Sequence, residues 1–424
     1  MEKYYPRLIE SVIEKKLKSS GAVLVTGPKF CGKTTTCMRF QQSFIKLNTK
    51  QVIDVAKINP GAVLEGEKPR LIDEWQTVPD IWNCVKNDLD FEYTFGKYLL
   101  TGSTTPADGS EIYHSGAGRI TPVRMRTMSL FESGDSKGSV SLNSLFADPS
   151  TEIFELNSDF TLNNAAYLVC RGGWPISVQP DKELGLEITR NYFDSLFVFE
   201  NCENEHFRNK KPELLKMILR SYARNISTEA PVSTMISDIA AADNRTFDRK
   251  TFDDYSQALR DLFILEDIQA WNPNIRSKTS VRTTPTRHFV DTSIACRALN
   301  VFPEDLMRDL NSFGLFFEDT AVRDLSIYMG CYGGEVRHYR DNSGLECDAV
   351  LHLPDGSWAA VEIKLGGEKL IEDGAASLLK LKNKLAEKSS EKEPRFLMVL
   401  TACGSAYRRK KDGVYVVPIN CLKP

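Results

Sequence analysis

The sequence predicts an α/β multidomain protein opening with a parallel-sheet domain. Three observations carry this. Short apolar runs alternate with helical segments through residues 1–150, the signature of a parallel sheet. A glycine-rich loop joins the first such run to a helix. The last third has a different order, one helix, three strands, a helix and a strand. At 424 residues the chain is too long for one core, so two or three domains are expected.

The first strand is Ala22-Val23-Leu24-Val25, and a helix starts after it and runs from Thr34 to Phe40 without Gly or Pro. Between them, Gly27-Pro28-Lys29-Phe30-Cys31-Gly32-Lys33-Thr34 fits G-x-x-x-x-G-K-[ST]. In this context the loop N–H groups and the helix N-terminus point at one spot, where an anion is favoured. Lys33 adds a charge against the outer phosphates of a nucleotide, and the Thr34 hydroxyl is placed to hold Mg²⁺. The expected nucleotide contacts are Gly27 to Thr34, with Thr35 and Ser103. An ordinary glycine turn is the alternative.

Such a site needs an acid for the metal and a base for water. Arg70-Leu71-Ile72-Asp73-Glu74 supplies both, about forty residues downstream. Asp73 at the strand end orients the Mg²⁺ ligand sphere, and Glu74 polarises the attacking water. A third strand, Tyr98 to Ser103, ends in hydroxyls. Thr101 or Ser103 either senses the γ-phosphate or is a plain strand-end hydroxyl.

Composition narrows the classes. An apolar share of 42% and a charged share of 26% are those of a globular protein. No run of about eighteen apolar residues exists, so no membrane span is expected. No secretory leader is visible, and the ten cysteines are scattered without CxxC or ligand-like spacing to the five histidines. Reduced thiols and a cytoplasmic location are the expectation. A net charge of −3 excludes a globally basic nucleic-acid binder, so DNA contact needs a local patch.

Residues 133–150 are loop-rich and mark a boundary. Arg171-Gly172-Gly173-Trp174-Pro175 marks a turn with no assigned chemistry. Three helices follow, Leu214 to Tyr222, Val232 to Ala242 and Asp248 to Phe263. Ile264 to Trp271 alternates as a strand, as the wing of a winged helix would. Arg276, Lys278, Arg282 and Arg287 sit in an acid-free stretch, and residues 206–224 are also basic. They meet phosphates or form a solvated wing of a packing adaptor.

In the last third, Glu318, Val322 and Leu325 share one face of a helix. Strands are read at Glu335 to Arg340, Glu346 to His352 and Trp358 to Lys364, with a turn at Pro354-Asp355-Gly356. A helix from Glu368 to Glu387 and a strand from Arg395 to Thr401 follow. Glu362 and Lys364, two apart on a strand, project together, and Asp348 on the neighbouring strand can approach them. Two carboxylates there make a hard-oxygen Mg²⁺ site. Lys364 then orients water or offsets developing charge.

The chain resembles a family of AAA-type P-loop ATPases from bacteria and archaea. The residues that carry the resemblance are the "YYPRLIE" opening, the P-loop, "LIDEWQ", "LLTGS", Ala117-Gly118-Arg119-Ile120 and Ser129 to Glu132. The family has a proline just before the last block, where Thr127-Met128 stands here. The resemblance implies ATP as substrate with Mg²⁺, and a C-terminal domain similar to a restriction-endonuclease core of the D-(x)n-[DE]-x-K type. Glu318, Asp348, Glu362 and Lys364 match that pattern, with Lys364 catalytic and the three acids as metal ligands. It implies that Arg119 is an arginine finger for a neighbouring copy in a homo-oligomer; a structural salt bridge is the alternative. The expected domains are 1–150 for the ATPase, 151–205 for a helical connector, 206–295 for a winged-helix-like part and 296–424 for a nuclease-like part. The expected function is ATP hydrolysis, with Lys33 and Glu74 catalytic, coupled to a DNA-directed activity. The alternatives are an ATP-dependent regulatory switch, or a DNA-binding ATPase with an inert C-terminal domain.

Overall fold

The structure is a computed structural model describing residues 4–103, 116–156, 159–197, 210–243, 245, 247–273, 284–388 and 393–424. The chain forms two compact units. Unit 1 is Met1–Thr127 with Ala258–Ile264 and a segment outside the described residues. Its five strands are β1 (Ala22–Thr26), β2 (Ser43–Lys46), β3 (Arg70–Asp73), β4 (Tyr98–Gly102) and β5 (Ile120–Arg124). They pair in the order β2-β3-β4-β1-β5, all parallel.

Strand alternation explains why this sheet is covered twice. Ala22, Leu24, Ile72, Tyr98 and Leu100 pack with Ile81, Val85 and Leu89 of the Asp80–Phe91 helix. Val23, Val25, Leu71 and Leu99 pack with Ile13 and Leu17 of the Ile9–Leu17 helix. A strand buried on both faces must be apolar at every position, which is why β1 and β4 read as unbroken runs. The polar residues fall where the strands end. Register places Thr26 beside Gly102, and Asp73 beside both Lys46 and Thr101.

Unit 2 takes Met128–Glu200, Lys210–Gln257 and Leu265–Pro424. Its strands are β6 (Val140–Ser141), β7 (Phe154–Glu155), β8 (Glu335–Arg340), β9 (Glu346–His352), β10 (Trp358–Lys364), β11 (Leu397–Thr401), β12 (Ala406–Arg408), β13 (Tyr415–Pro418) and β14 (Leu422–Lys423). Seven form one mixed sheet, β7-β12-β13-β11-β10-β9-β8. β8, β9 and β10 are antiparallel, whereas β10, β11 and β13 run parallel. The face bearing Val350, Trp358, Ala360, Leu397 and Val399 is covered by Ala375, Leu378, Leu381 and Leu385 of the Glu368–Lys388 helix. The Leu310–Gly330 helix packs against β8, β9 and β10.

The boundaries differ from those expected. The break falls at Thr127/Met128, not at 150, because residues 128–150 are bound to the C-terminal end. β6 pairs with β14, Ser136 Oγ donates to Leu422 O (2.6 Å) and Ser141 Oγ to Pro424 O (2.8 Å). Residues 151–200 of the segment expected to be a connector also belong to unit 2, where β7 pairs with β12. The Arg171–Pro175 turn is a buried junction there. Gly173 N–H donates to Asp291 (2.8 Å), Gly173 O accepts from Met128 N–H (2.7 Å), and Trp174 Nε1 donates to Ser293 Oγ (3.1 Å). Gly172 is left-handed (φ 72°), and a Cβ on it would lie 2.1 Å from Asp291 Oδ1, so both conformation and space demand glycine.

The three middle helices are present as Pro212–Arg224, Val232–Asp243 and Arg249–Asp261. The expected 264–271 strand is not continuous. Leu265 and Ile268 make single antiparallel bridges to Phe289 and Thr286, and Ala270 bridges to His338 of β8. Its pairing is divided between two partners, which ties it to the C-terminal sheet instead of leaving a separate wing.

Candidate functional site

The P-loop leaves β1 at Thr26 and enters the Lys33–Cys37 helix. Three left-handed residues shape it, Gly27 (φ 153°), Phe30 (φ 63°) and Gly32 (φ 100°). A Cβ on Gly27 would lie 2.0 Å from Met125 O, so the loop sits directly on the chain leaving β5. Phe30 holds a positive φ without being glycine, a strained conformation, and is 68% exposed. Pro28 lies inside, and Lys29 and Thr35 are exposed. Buried Lys33 donates to Gly27 O (2.9 Å) and Pro28 O (2.8 Å), two neutral acceptors. Cys31 is buried, with its Sγ 3.8 Å from Met125 O.

Asp73 is the centre of the polar network. Its Oδ1 accepts from Thr34 Oγ1 (2.7 Å) and Thr101 Oγ1 (2.5 Å). Its Oδ2 is buried and has no partner. An ionised carboxylate oxygen without a donor is costly in a protein interior. A cation bound there relieves that cost, so Thr34 and Asp73 fit the Mg²⁺ that this loop type employs. Glu74, left-handed at φ 59°, follows directly. Its Oε2 accepts from Gln76 Nε2 (2.5 Å) and Ser103 Oγ (3.3 Å). Thr101 thus serves the acid expected to orient the metal, and Ser103 the acid expected to be the base.

Two arginines revise the sequence reading. Arg119 is ion-paired to Asp90 (2.6 Å), the structural alternative considered for it. Its carbonyl accepts from Ala22 N–H, at the start of β1. That is roughly 13 Å of strand from the loop, so Arg119 takes no part in this chain's own P-loop. Arg7, which sequence reasoning passed over, is buried behind the loop. Its guanidinium donates to Cys31 O (2.7 Å), Arg126 O (2.9 Å) and Thr127 O (3.0 Å). The signal was its place in the "YYPRLIE" opening.

The second cluster assembles from four elements of unit 2. β9 carries a bulge: Arg337 pairs with Val350 and Tyr339 with Cys347, so Asp348 and Ala349 together face His338. Bulges re-aim side chains and release partners from the ladder. Here Asp348 Oδ2 accepts from Ile363 N–H of β10 (2.7 Å). Lys364 Nζ lies between the acids, 3.0 Å from Asp348 Oδ2 and 2.6 Å from Glu362 Oε2. Glu362 Oε1 accepts from Ser377 Oγ of the covering helix (3.2 Å).

Asp348, Glu362 and Lys364 are in direct contact, and Glu318 of the Leu310–Gly330 helix lies near enough to feel their charges. Burial, then the Asp348 charge, pushes Glu362 up to about 8. Burial pushes Glu318 well above the carboxyl range, with Asp348 adding and Lys364 opposing. Burial works against the Lys364 charge, but Asp348 and Glu362 outweigh it and hold the ammonium protonated. The expected metal ligation is not what this arrangement presents. Among the described residues no group of three or more His, Cys, Asp or Glu is placed to hold a metal ion. The reason is local: the Lys364 ammonium sits in contact with both Asp348 and Glu362, where a dication would have to sit.

The expected DNA patch fares less well. Arg276, Lys278 and Arg282 lie outside the described residues, as do 206–209. Arg287 is buried, donating to Asp267 (2.9 Å) and Ala230 O (3.0 Å), and so is not a phosphate contact. Arg224 is paired with Asp238 (2.8 Å).

One family comparison bears on the N-terminal part. Residues 19–133 match a family model described as an AAA domain. Residues 163–305 and 313–422 each match a domain of unknown function, DUF8612 and DUF4143. No curated protein matches. Among solved structures, the Walker-type ATPase PABY2304 of Pyrococcus abyssi is similar, at 14% identity and a TM-score of 0.45, over 70% of this chain and 97% of that one. The N-terminal part is thus similar to AAA domains. No described helix is long and apolar enough to cross a membrane.

Proposed function

We propose that the chain hydrolyses ATP at the N-terminal site and couples turnover to a DNA-directed activity of unit 2. The observation that carries the first half is the unpartnered Asp73 Oδ2 beside Thr34 and the P-loop. In this reading Lys33 releases its two carbonyls and turns to the phosphates. Mg²⁺ at Thr34 and Asp73 supplies charge neutralisation when bound. Glu74, steadied by Gln76 and Ser103, takes the proton of the attacking water. Support for the second half is the gathering of Glu318, Asp348, Glu362 and Lys364 in the element order of a nuclease-like core.

A second reading has its own observation. Lys364 clasped by both acids is a closed, charge-balanced cluster, as in a nuclease-like domain kept as an inert partner module. The test is incubation of the full chain with duplex DNA, Mg·ATP and Mn²⁺, alongside Asp348→Asn. Cleavage lost in the variant supports the coupled enzyme. ATP-stimulated phosphate release with intact DNA in both chains supports the inert module.

A further inference from the structure

We infer that Thr401 is a fifth residue of the C-terminal cluster, its hydroxyl placed to hold an oxygen of a phosphate group beside Lys364. The inference rests on the reading of that cluster as directed at phosphodiesters. β11 is apolar along its length, Leu397-Met398-Val399-Leu400, and ends in Thr401. Register pairs Thr401 with Lys364 across parallel strands, and Val399 with Glu362. Side chains of paired residues on neighbouring strands share a face, so Thr401 stands on the face of Glu362 and Lys364. Val399, two residues earlier, belongs to the core on that face.

Thr401 is 1% exposed, and its Oγ1 has no hydrogen-bond partner. A buried hydroxyl left unmade destabilises a fold, and valine has the same shape without that cost. Nothing in the packing of β11 explains the oxygen. Its position does. β10, β11 and β13 are parallel, and their carboxyl ends lie side by side at Lys364, Thr401 and Pro418. Ligands of open α/β sheets bind at such ends. The chain beyond is permissive: Gly366, Gly367 and Gly404 are left-handed, and a Cβ on Gly367 or Gly404 would meet nothing within 4 Å. Thr401 adds an uncharged donor to the ammonium of Lys364, a pair suited to a phosphate oxyanion.

The experiment is calorimetric titration of inorganic phosphate into the full chain. Every chain compared carries Lys33→Ala, so that the P-loop lysine does not answer. Thr401→Val should weaken phosphate binding roughly tenfold or more, while Thr401→Ser retains it. The melting temperature of the unliganded Thr401→Val chain should stay level or rise. Equal phosphate affinity in Thr401→Val would overturn the inference, and so would a melting temperature several degrees lower. Lys364→Ala separates the two ideas. If it leaves phosphate binding intact while Thr401→Val weakens it, the cluster reading fails and the Thr401 subsite stands. The reverse result keeps the cluster and removes Thr401.

Discussion

The clusters around Lys33 and Lys364 use the same side-chain types, and the difference lies in what each lysine holds. Lys33 rests on two backbone carbonyls, which leaves the Asp73 carboxylate with an open oxygen. Lys364 rests on Asp348 and Glu362 themselves, and the acids are satisfied from within. A threonine stands at the end of a parallel strand in both. Thr101 spends its hydroxyl on Asp73, whereas Thr401 is paired in register with the lysine and its hydroxyl is unspent. The comparison teaches that a lysine beside carboxylates is not by itself a catalytic sign. The N-terminal site leaves a carboxylate oxygen unpartnered, whereas the C-terminal site leaves only an uncharged hydroxyl so.

The largest effect should come from Glu74→Gln. If Glu74 is the base, turnover should fall by a factor on the order of 10² to 10⁴, the usual contribution of a positioned base. Nucleotide affinity, set by the loop and Asp73, should hold. Phosphate release and calorimetry on the same preparation decide it. A matching fall in affinity would mean that Glu74 shapes the loop instead, and the contrast between the two sites would weaken.

The internal charge balance of the second site can be read from pH. Glu362 is pushed up to about 8 from an ordinary 4.5. Between those values the folded chain keeps a proton that the unfolded chain has released, so stability falls as pH rises. His338, buried and pushed down to about 4 from 6.5, has the opposite sign within its own window, where stability rises with pH. Above about 6.5 that contribution is complete, so from there to about 8 the loss from Glu362 acts without it. Urea unfolding across this interval should show stability falling, by at most about 1.4 kcal/mol per pH unit for one proton. Glu362→Gln should reduce that slope, and Glu318→Gln should reduce it again. An unchanged slope in both variants would place its source outside the cluster.

Arg7→Ala is expected to act more mildly. It removes three donors from behind the loop without touching nucleotide, so affinity for Mg·ATP should weaken about tenfold, close to 1.4 kcal/mol. Arg7→Lys should recover part of it. If the melting temperature falls while affinity is unchanged, Arg7 holds the fold and not the loop.

How much of this was legible follows from sequence distance. Gly27 to Thr34 is one contiguous loop, and Asp73 and Glu74 follow at a strand end, so spacing alone suggested the neighbourhood of Thr34 and Asp73 that the structure shows, but not which acid Thr101 and Ser103 each contact. β8, β9 and β10 were read with their observed bounds because turn residues separate clean strand patterns. Strand period two predicts that Glu362 and Lys364 share a face, and the expectation that Glu318 and Asp348 join them came from the family resemblance. That Lys364 would contact both acids was not legible, because it depends on the β9 bulge that turns Asp348 toward Ile363. The division at Thr127 was hidden for a similar reason. β6 pairs with β14, nearly three hundred residues later, and no local pattern announces such a pairing.

The smallest expected effect belongs to Arg119→Ala, and it tests whether the N-terminal site is complete within one chain. Arg119 is half-exposed, ion-paired to Asp90, and set at the end of the sheet away from the loop. Exposed pairs of this kind contribute little to stability, so the melting temperature should barely move. Turnover should be unchanged at every protein concentration, because nothing in the pair touches Lys33, Thr34, Asp73 or Glu74. An arginine finger offered to a second copy would behave differently. Its loss costs orders of magnitude in rate, and wild-type turnover per chain would rise with protein concentration as copies met. Asp90→Ala sharpens the distinction. It frees the guanidinium, so a finger should keep or gain rate, whereas a structural pair should show the same near-silent result from either side.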